Sequence, residues 1–237
     1  MTALAPSTQT VSELLATAVR DHHPRLALAC SFSQEDVLLL GLALRIEPRI
    51  RVFSLDTGRL PEETHRYAQS LMERFSFRIE WVFPEQTSLE TLVQADGPYG
   101  FRNSLEARHR CCEVRKVEPS SRVLGEVSAW VTGQRRSQSV TRSRLEVVEH
   151  HPNGPMKFNP LADWSFGAVE SALKLEGWPR HPLYQQGFRS IGCAPCTRAV
   201  QGHEDERAGR WWWESAEHKE CGLHVASPQP EIKESFR

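Results

Sequence analysis

Short apolar runs separated by polar turns recur through the first half of the chain. Leu26–Cys30 and Ile50–Leu55 are mainly apolar runs of strand length, and Phe77–Phe83 alternates apolar with polar side chains. Ala129–Gly133 is a further short apolar run that ends in a glycine. These lengths and patterns are typical of β-strands and predict four of them.

Helix-forming stretches follow the first two predicted strands. Val37–Leu44 continues after a polar turn, and Pro61–Phe75 opens with a proline and two glutamates, which favour a helix start. Ala168–Trp178 is predicted to form a later helix. Repeated strand–helix units predict an α/β fold with a mostly parallel sheet that is covered by helices on both faces.

Three polar loops leave predicted strands at one edge of this sheet, where ligands bind in such folds. The loops are Ser31–Asp36, Asp56–Arg59 and Gly133–Arg144, and their hydroxyls, amides and arginines suit a nucleotide. The alternative interpretation is that these loops have no binding role, because any sheet of this kind carries polar loops at this edge. Neither the Gly-x-Gly-x-x-Gly fingerprint nor a Walker A sequence is present, so both interpretations stay open at this point.

Composition limits the classes of function. The 237 residues include 29 basic and 30 acidic side chains, and this balance gives no support to nucleic-acid or membrane binding through bulk charge. The length suits one large domain or one domain with an appendage. No secretory signal is visible and no run approaches the roughly 20 apolar residues of a membrane helix, so we expect a cytoplasmic protein.

Arginines cluster in two places. Arg135, Arg136, Arg142 and Arg144 lie in the third loop, and Arg207 and Arg210 lie near the end of the chain. They are either solvated surface or two groups that hold a small anionic ligand between them.

Four of the six cysteines form two close pairs, Cys111 with Cys112 and Cys193 with Cys196. In a reduced compartment such clusters more often bind metal than form disulfides. An iron–sulfur cluster, a zinc ion and structural or redox cysteines are the alternatives. Adjacent cysteines do not form the usual zinc knuckle, whereas on a helix both sulfurs can reach one bulky group, which favours the cluster. Cys30 ends an apolar run and is expected to be a small buried residue.

Cys221 stands apart from the two pairs. It has no apolar run around it, and Lys219, His218 and His224 would lower the pKa of its thiol if they were close in space. This pattern is typical of a reactive thiolate more than of a core cysteine.

Several longer motifs carry a resemblance to a known family. The chain resembles assimilatory adenylyl-sulfate (APS) reductases from about Leu26 to His224. The resemblance rests on Ser54-Leu55-Asp56-Thr57-Gly58, Trp130-Val131-Thr132-Gly133-Gln134-Arg135-Arg136, Cys111-Cys112-x-x-Arg115-Lys116, Ile191-Gly192-Cys193-x-x-Cys196-Thr197-Arg198, Gly209-Arg210-Trp211-Trp212-Trp213-Glu214 and Lys219-Glu220-Cys221-Gly222-Leu223-His224.

This resemblance implies a Rossmann-like sheet of the adenine-nucleotide α-hydrolase type and reduction of APS to sulfite and AMP by reduced thioredoxin or a similar dithiol. It implies a [4Fe–4S] cluster on Cys111, Cys112, Cys193 and Cys196, and Cys221 as the nucleophile that becomes an S-sulfocysteine. The substrate contacts that we expect are Ser31, Phe32, Ser33, Leu55, Asp56, Thr57, Lys116, Gly133, Arg136, Arg142, Arg207 and Arg210.

The expected organisation is a nucleotide-binding α/β domain over residues 1–190 with the first cysteine pair. Residues 191–237 then form a C-terminal segment with the second pair and the catalytic cysteine, integrated into the same domain. Two other functions remain: a phosphoadenylyl-sulfate (PAPS) or dual-specificity reductase, whose PAPS-specific relatives typically lack the paired cysteines, and a zinc-stabilised nucleotide-binding or RNA-modifying protein. The first loop has Ser33-Gln34 where the family more often has Gly-Ala, and a homo-oligomer is compatible with the sequence.

Overall fold

The computed structural model describes residues 7–152 and 154–220 of the chain. Within these ranges the helices are α1 (Thr8–His22), α2 (Gln34–Ile46), α3 (Glu62–Phe75), α4 (Gln86–Asp96), α5 (Leu105–Cys112), α6 (Glu118–Leu124) and α7 (Phe166–Leu175). The strands are β1 (Leu26–Ala29), β2 (Arg51–Leu55), β3 (Glu80–Val82), β4 (Ala129–Val131), β5 (Val148–Glu149) and β6 (Met156–Phe158).

The six strands form one sheet in the order β3-β2-β1-β4-β6-β5. All neighbouring pairs are parallel except β5 with β6, which is antiparallel. Ala27 of β1 pairs with Arg51 of β2 on one side and with Trp130 of β4 on the other, so β1 lies inside the sheet between these two strands. The predicted mostly parallel α/β sheet is therefore confirmed, and β5 and β6 are additions that the sequence pattern did not reveal.

Side chains of the central strands alternate between two apolar cores. Leu26 and Leu28 of β1 and Val52 of β2 pack with α1, α2, α3 and α7 on one face. Ala27 of β1 and Phe53 of β2 pack on the other face with residues of α6 and the segment that follows it. Since successive strand residues point to opposite faces, helices cover the sheet on both sides.

The helix α2 begins at the first polar loop. Ser33 caps it by accepting a hydrogen bond from the Asp36 backbone N–H, and Glu35 and Asp36 supply negative charge to its first turn. A side-chain cap and acidic residues at this end both stabilise a helix. The loop is thereby held directly above the end of β1.

The helix α5 ends at the first cysteine pair and continues into a π-helical turn, Glu113–Val117. Cys111 and Cys112 are its last two residues, as the helical interpretation of adjacent cysteines predicts. The wider π turn then carries Arg115 and Lys116, and such turns often occur at functional sites.

The segment after α7 packs against the body of the domain without long elements. Ala194 N–H donates to the carbonyl of Arg59 at 2.8 Å, and Thr197 and Arg210 form an antiparallel bridge within the segment. No helix among the described residues is long and apolar enough to span a membrane.

Candidate active site

A cavity lies at the carboxyl ends of β1, β2 and β4 and is closed on its far side by the C-terminal segment. We call it the substrate cavity; it is lined by residues of all three polar loops. Ten of the residues expected to contact substrate line it, namely Ser31, Phe32, Ser33, Leu55, Thr57, Lys116, Gly133, Arg142, Arg207 and Arg210. The structure thus brings together residues that are far apart in the sequence.

Asp56 and Arg136 are not among the lining residues. The carboxylate of Asp56 contacts His65 at 3.0 Å and accepts a hydrogen bond from the Gly58 backbone N–H. The Arg136 guanidinium points away and donates to the Leu145 carbonyl and to Asp163. Both residues shape the loops, and neither position supports the expected substrate contact.

The first loop is organised by a buried carboxylate. Asp36 Oδ2 accepts hydrogen bonds from the backbone N–H and from the hydroxyl of Ser31, both at 2.6 Å. Burial raises the pKa of Asp36 to about 6, although the bonds from Ser31 oppose the shift. Between these residues Phe32 takes a left-handed backbone conformation, with φ of 63°. This strained turn is held in place by the two bonds around it.

Gly133 is required by the close approach of the third loop to α2. A Cβ atom at this position would lie 2.4 Å from Asp36 Oδ1 and 2.8 Å from Glu35 Cβ. Because no other residue fits without displacing the start of α2, the glycine lets two loops meet at the cavity wall.

Arg135 is the centre of a buried ion network. Its guanidinium donates to Glu35 at 2.8 Å and to Glu206 at 2.5 Å, and its side chain is 0% exposed. Burial raises the pKa of Glu206, and the charge of Arg135 opposes that shift. The network joins the first loop, the third loop and the C-terminal segment, and sequence reasoning grouped Arg135 with the other loop arginines without finding this role.

A second, smaller cavity lies beside the first and contains all four paired cysteines. We call it the sulfur cavity; it is lined by Arg59, Phe101, Arg108, Cys111, Cys112, Arg115, Lys116, Cys193, Cys196 and Trp211. No disulfide joins the cysteines among the described residues. Lys116, Cys193 and Trp211 line both cavities, so the two cavities are neighbours.

The sulfur cavity offers sulfur ligands together with buried hydrogen-bond donors. Among the described residues, no set of three or more His, Cys, Asp or Glu side chains is arranged to hold one metal ion. Two buried N–H groups at this cavity, Arg115 Nε and Trp211 Nε1, have no hydrogen-bond partner within the described ranges. Four sulfurs, buried donors and a surplus of cations therefore fit a sulfide-containing cluster.

The thiols in this cavity differ in acidity. Burial raises the pKa of Cys193, but Lys116 and a contact of 3.2 Å with the Thr57 hydroxyl outweigh it, so the pKa is lower than usual. Burial raises the pKa of Cys196 to about 11 and also raises that of Cys111. Thr57 therefore links the substrate cavity with a cysteine, and Arg115 fixes it by donating to its carbonyl at 2.6 Å.

The chain approaches the substrate cavity again at its described end. Arg142 pairs with the carboxylate of Glu220, and Arg108, which is buried and stacks on Trp211, donates to the carbonyl of Glu220. Cys221, the expected nucleophile, and His224 lie outside the described residues. The sequence analysis did not single out Arg108 or Glu220 as site residues. For Glu220, its position next to Cys221 was the signal that could have indicated a role.

Comparisons with known proteins agree with this geometry. Residues 25–199 match the model of the phosphoadenosine phosphosulfate reductase domain. The chain is 45% identical over 228 residues to a protein from Burkholderia cepacia named adenosine 5'-phosphosulfate reductase, with 96% of this chain and 91% of that protein covered. A protein of the same name from Allochromatium vinosum is 46% identical over 213 residues, which cover 90% of this chain and 83% of that protein.

A solved structure shares the fold. It is a phosphoadenylyl-sulfate (PAPS) reductase from Candida auris in a phosphate complex, 24% identical, with a TM-score of 0.67 over 80% of this chain and 90% of that one. At this level of identity the likeness concerns the fold alone. From the matched domain and the similar proteins it follows that the chain belongs to the phosphoadenosine phosphosulfate reductase domain family.

Proposed function

We propose that this protein reduces adenosine 5'-phosphosulfate (APS) to sulfite and AMP in sulfate assimilation. The observation that carries the proposal is the substrate cavity itself, where loop residues suited to a nucleotide face cations next to four paired cysteines. Relatives at 45% and 46% identity that bear the name of this activity support it.

The cavity provides the groups that an adenylated sulfate requires. Polar atoms of Ser31, Ser33 and Thr57 lie at the ends of β1 and β2, where a nucleotide binds in this type of sheet. Lys116, Arg207 and Arg210 supply positive charge for the phosphate and sulfate groups. The same charges stabilise the phosphate oxygen of AMP as it leaves with the bonding electron pair.

The chemical steps follow thiol chemistry. The Cys221 thiolate attacks the sulfur of the bound substrate, an S–S bond forms, and the S–O bond to AMP breaks, which leaves an S-sulfocysteine. A thiolate of reduced thioredoxin, or of a similar dithiol, then attacks Cys221 Sγ and releases sulfite. Its second thiolate resolves the mixed disulfide, so the thioredoxin is oxidised and the Cys221 thiol is restored.

Cys111, Cys112, Cys193 and Cys196 would hold a [4Fe–4S] cluster as their thiolates. When bound, the cluster supplies a compact charged group next to Lys116 that shapes the field around the substrate. Thr57 contacts Cys193 Sγ, Arg115 holds Thr57 through its carbonyl, and the buried Trp211 indole N–H lies at the same cavity. Within this proposal residues 191–237 are a C-terminal segment of one integrated domain, which is supported by the described residues 191–220, because they contribute lining residues to both cavities.

The test is sulfite release by anaerobically purified protein with reduced thioredoxin and either APS or PAPS at equal concentration. We expect turnover of APS and little turnover of PAPS, together with iron and sulfide in the protein. Equal turnover of both would show that the cavity accepts a 3'-phosphate. No sulfite from either substrate with iron-replete protein would refute the proposal.

A further inference from the structure

Glu220 places a carboxylate inside the cavity that we assign to an anionic substrate. Its side chain is 10% exposed, and Arg142 holds both of its oxygens at 3.0 Å in a bidentate pair. Arg207 approaches the same carboxylate at 3.4 Å, and the Thr141 hydroxyl donates to it at 3.3 Å. Such a pair is geometrically specific and stronger than a neutral hydrogen bond.

The backbone beside Glu220 is held as firmly as its side chain. Arg108 donates to the carbonyls of His218 at 2.7 Å and Glu220 at 2.6 Å, and Arg207 donates to the carbonyl of Lys219 at 3.1 Å. Arg108 is itself fixed by a buried ion pair with Glu214 at 2.9 Å. Three successive carbonyls are therefore bound by arginines, although this part of the chain has no long helix or strand.

The arginines around Glu220 donate hydrogen bonds to the protein chain itself, and not only towards the cavity. Arg142 uses Nε and Nη2 on Glu220 and Nη1 on Gln138. Holding the end of a chain in one place costs conformational entropy, and this set of charged contacts offsets it. Cys221 is the next residue in the sequence.

We propose that Glu220 is a positioning residue: its carboxylate, held by Arg142 and Arg207, fixes residues 218–220 at the substrate cavity, and with them the point from which the chain continues into Cys221. This inference rests on the proposed function for the role of Cys221, whereas the docking itself does not. Because Glu220 has the same charge as the substrate, it does not attract the nucleotide. Its removal should therefore slow attack by Cys221 without weakening nucleotide binding.

The test compares Glu220→Gln with the parent, with Glu220→Asp, and with Glu217→Gln. Glu217 is exposed on the same tail and makes no contact with Arg142 or Arg207 among the described residues, which makes it a matched control. Three quantities are measured on iron-replete protein: the Kd of AMP, the single-turnover rate of S-sulfocysteine formation with APS, and amide hydrogen exchange of residues 214–220.

For Glu220→Gln we expect AMP to bind as tightly as to the parent or more tightly, a single-turnover rate about tenfold lower, and tail amides that exchange about tenfold faster. Glu220→Asp should restore part of the single-turnover rate and part of the amide protection, and Glu217→Gln should match the parent in all three quantities. A single-turnover rate equal to that of the parent would overturn the proposal, as would weaker AMP binding in step with the rate.

Hydrogen exchange separates this inference from the proposed function. If the parent forms no S-sulfocysteine but Glu220→Gln loosens the tail, then the proposed reaction fails while the docking role of Glu220 holds. Unchanged exchange in Glu220→Gln would overturn the docking role even if the parent reduces APS.

Discussion

At the scale of single residues, Asp36 is a buried carboxyl group at a cavity that Lys116, Arg142, Arg207 and Arg210 also line. Burial raises its pKa to about 6, so it changes charge within the range in which the protein is handled. Below that pH it is neutral and hydrogen-bonded to Ser31, and above it a negative charge faces the bound anion. Deprotonation therefore opposes the binding of an anionic nucleotide.

Asp36→Asn is expected to remove this pH dependence. As the pH increases through about 6, the Kd of AMP for the parent should rise about fivefold relative to the Kd for the variant. This change corresponds to about 1 kcal/mol of charge repulsion. Titrations of both proteins with AMP between pH 5 and pH 8 check this, because the range extends from about one unit below the pKa of Asp36 to about two units above it. The titration of the AMP phosphate is common to both and cancels, so parallel profiles would contradict the role of Asp36.

At the scale of elements, the meeting of the third loop with α2 decides the shape of the cavity wall. Gly133→Ala would put a Cβ atom 2.4 Å from Asp36 Oδ1, on a carboxylate that Ser31 holds in place, and 3.2 Å from the Asp36 backbone nitrogen. We expect the free energy of unfolding to fall by about 1–3 kcal/mol and AMP binding to weaken. Thermal unfolding and AMP titration measure the two effects.

Gly167→Ala is the matched control for that substitution. Nothing lies within 4 Å of an added Cβ at Gly167, which is exposed near the start of α7. Alanine there should leave AMP binding unchanged and stabilise the protein by up to about 1 kcal/mol, because alanine is the better helix former. If both variants weakened AMP binding equally, the close approach at Gly133 would not be the cause.

The elements also show where sequence patterns succeed. The first two strands and their helices were predicted because apolar runs and proline or acidic starts mark them locally, and β4 was predicted from Ala129–Gly133. The strands β5 and β6 have two and three residues, too few for a period to be visible. Arg136 and Arg135 are neighbours with the same chemistry, and only the fold directs one to Asp163 and the other to Glu35.

At the scale of the whole molecule, the sulfur cavity joins the C-terminal segment to the domain. Cys111 and Cys112 come from α5, whereas Cys193 and Cys196 come from the segment that also completes the substrate cavity. A group bound to all four sulfurs would therefore act as a cross-link between distant parts of the chain.

Cys196→Ser is expected to lower the iron and sulfide content sharply and to speed amide exchange across residues 191–220, while β1 and β2 keep their protection. Iron and sulfide analysis and hydrogen exchange measure these changes. Cys30→Ala is the control, because Cys30 is buried and does not line the sulfur cavity. Full iron content in Cys196→Ser, or its loss in Cys30→Ala, would contradict the assignment of the four ligands.

The wide spacing of the two cysteine pairs has a consequence for synthesis of the protein. The first pair is synthesised about 80 residues before Cys193 and Cys196, and domains generally fold as units. During that interval the sheet lacks the segment that closes both cavities. A centre that uses all four sulfurs would therefore be completed only after Cys196 has been added, when most of the chain has been translated.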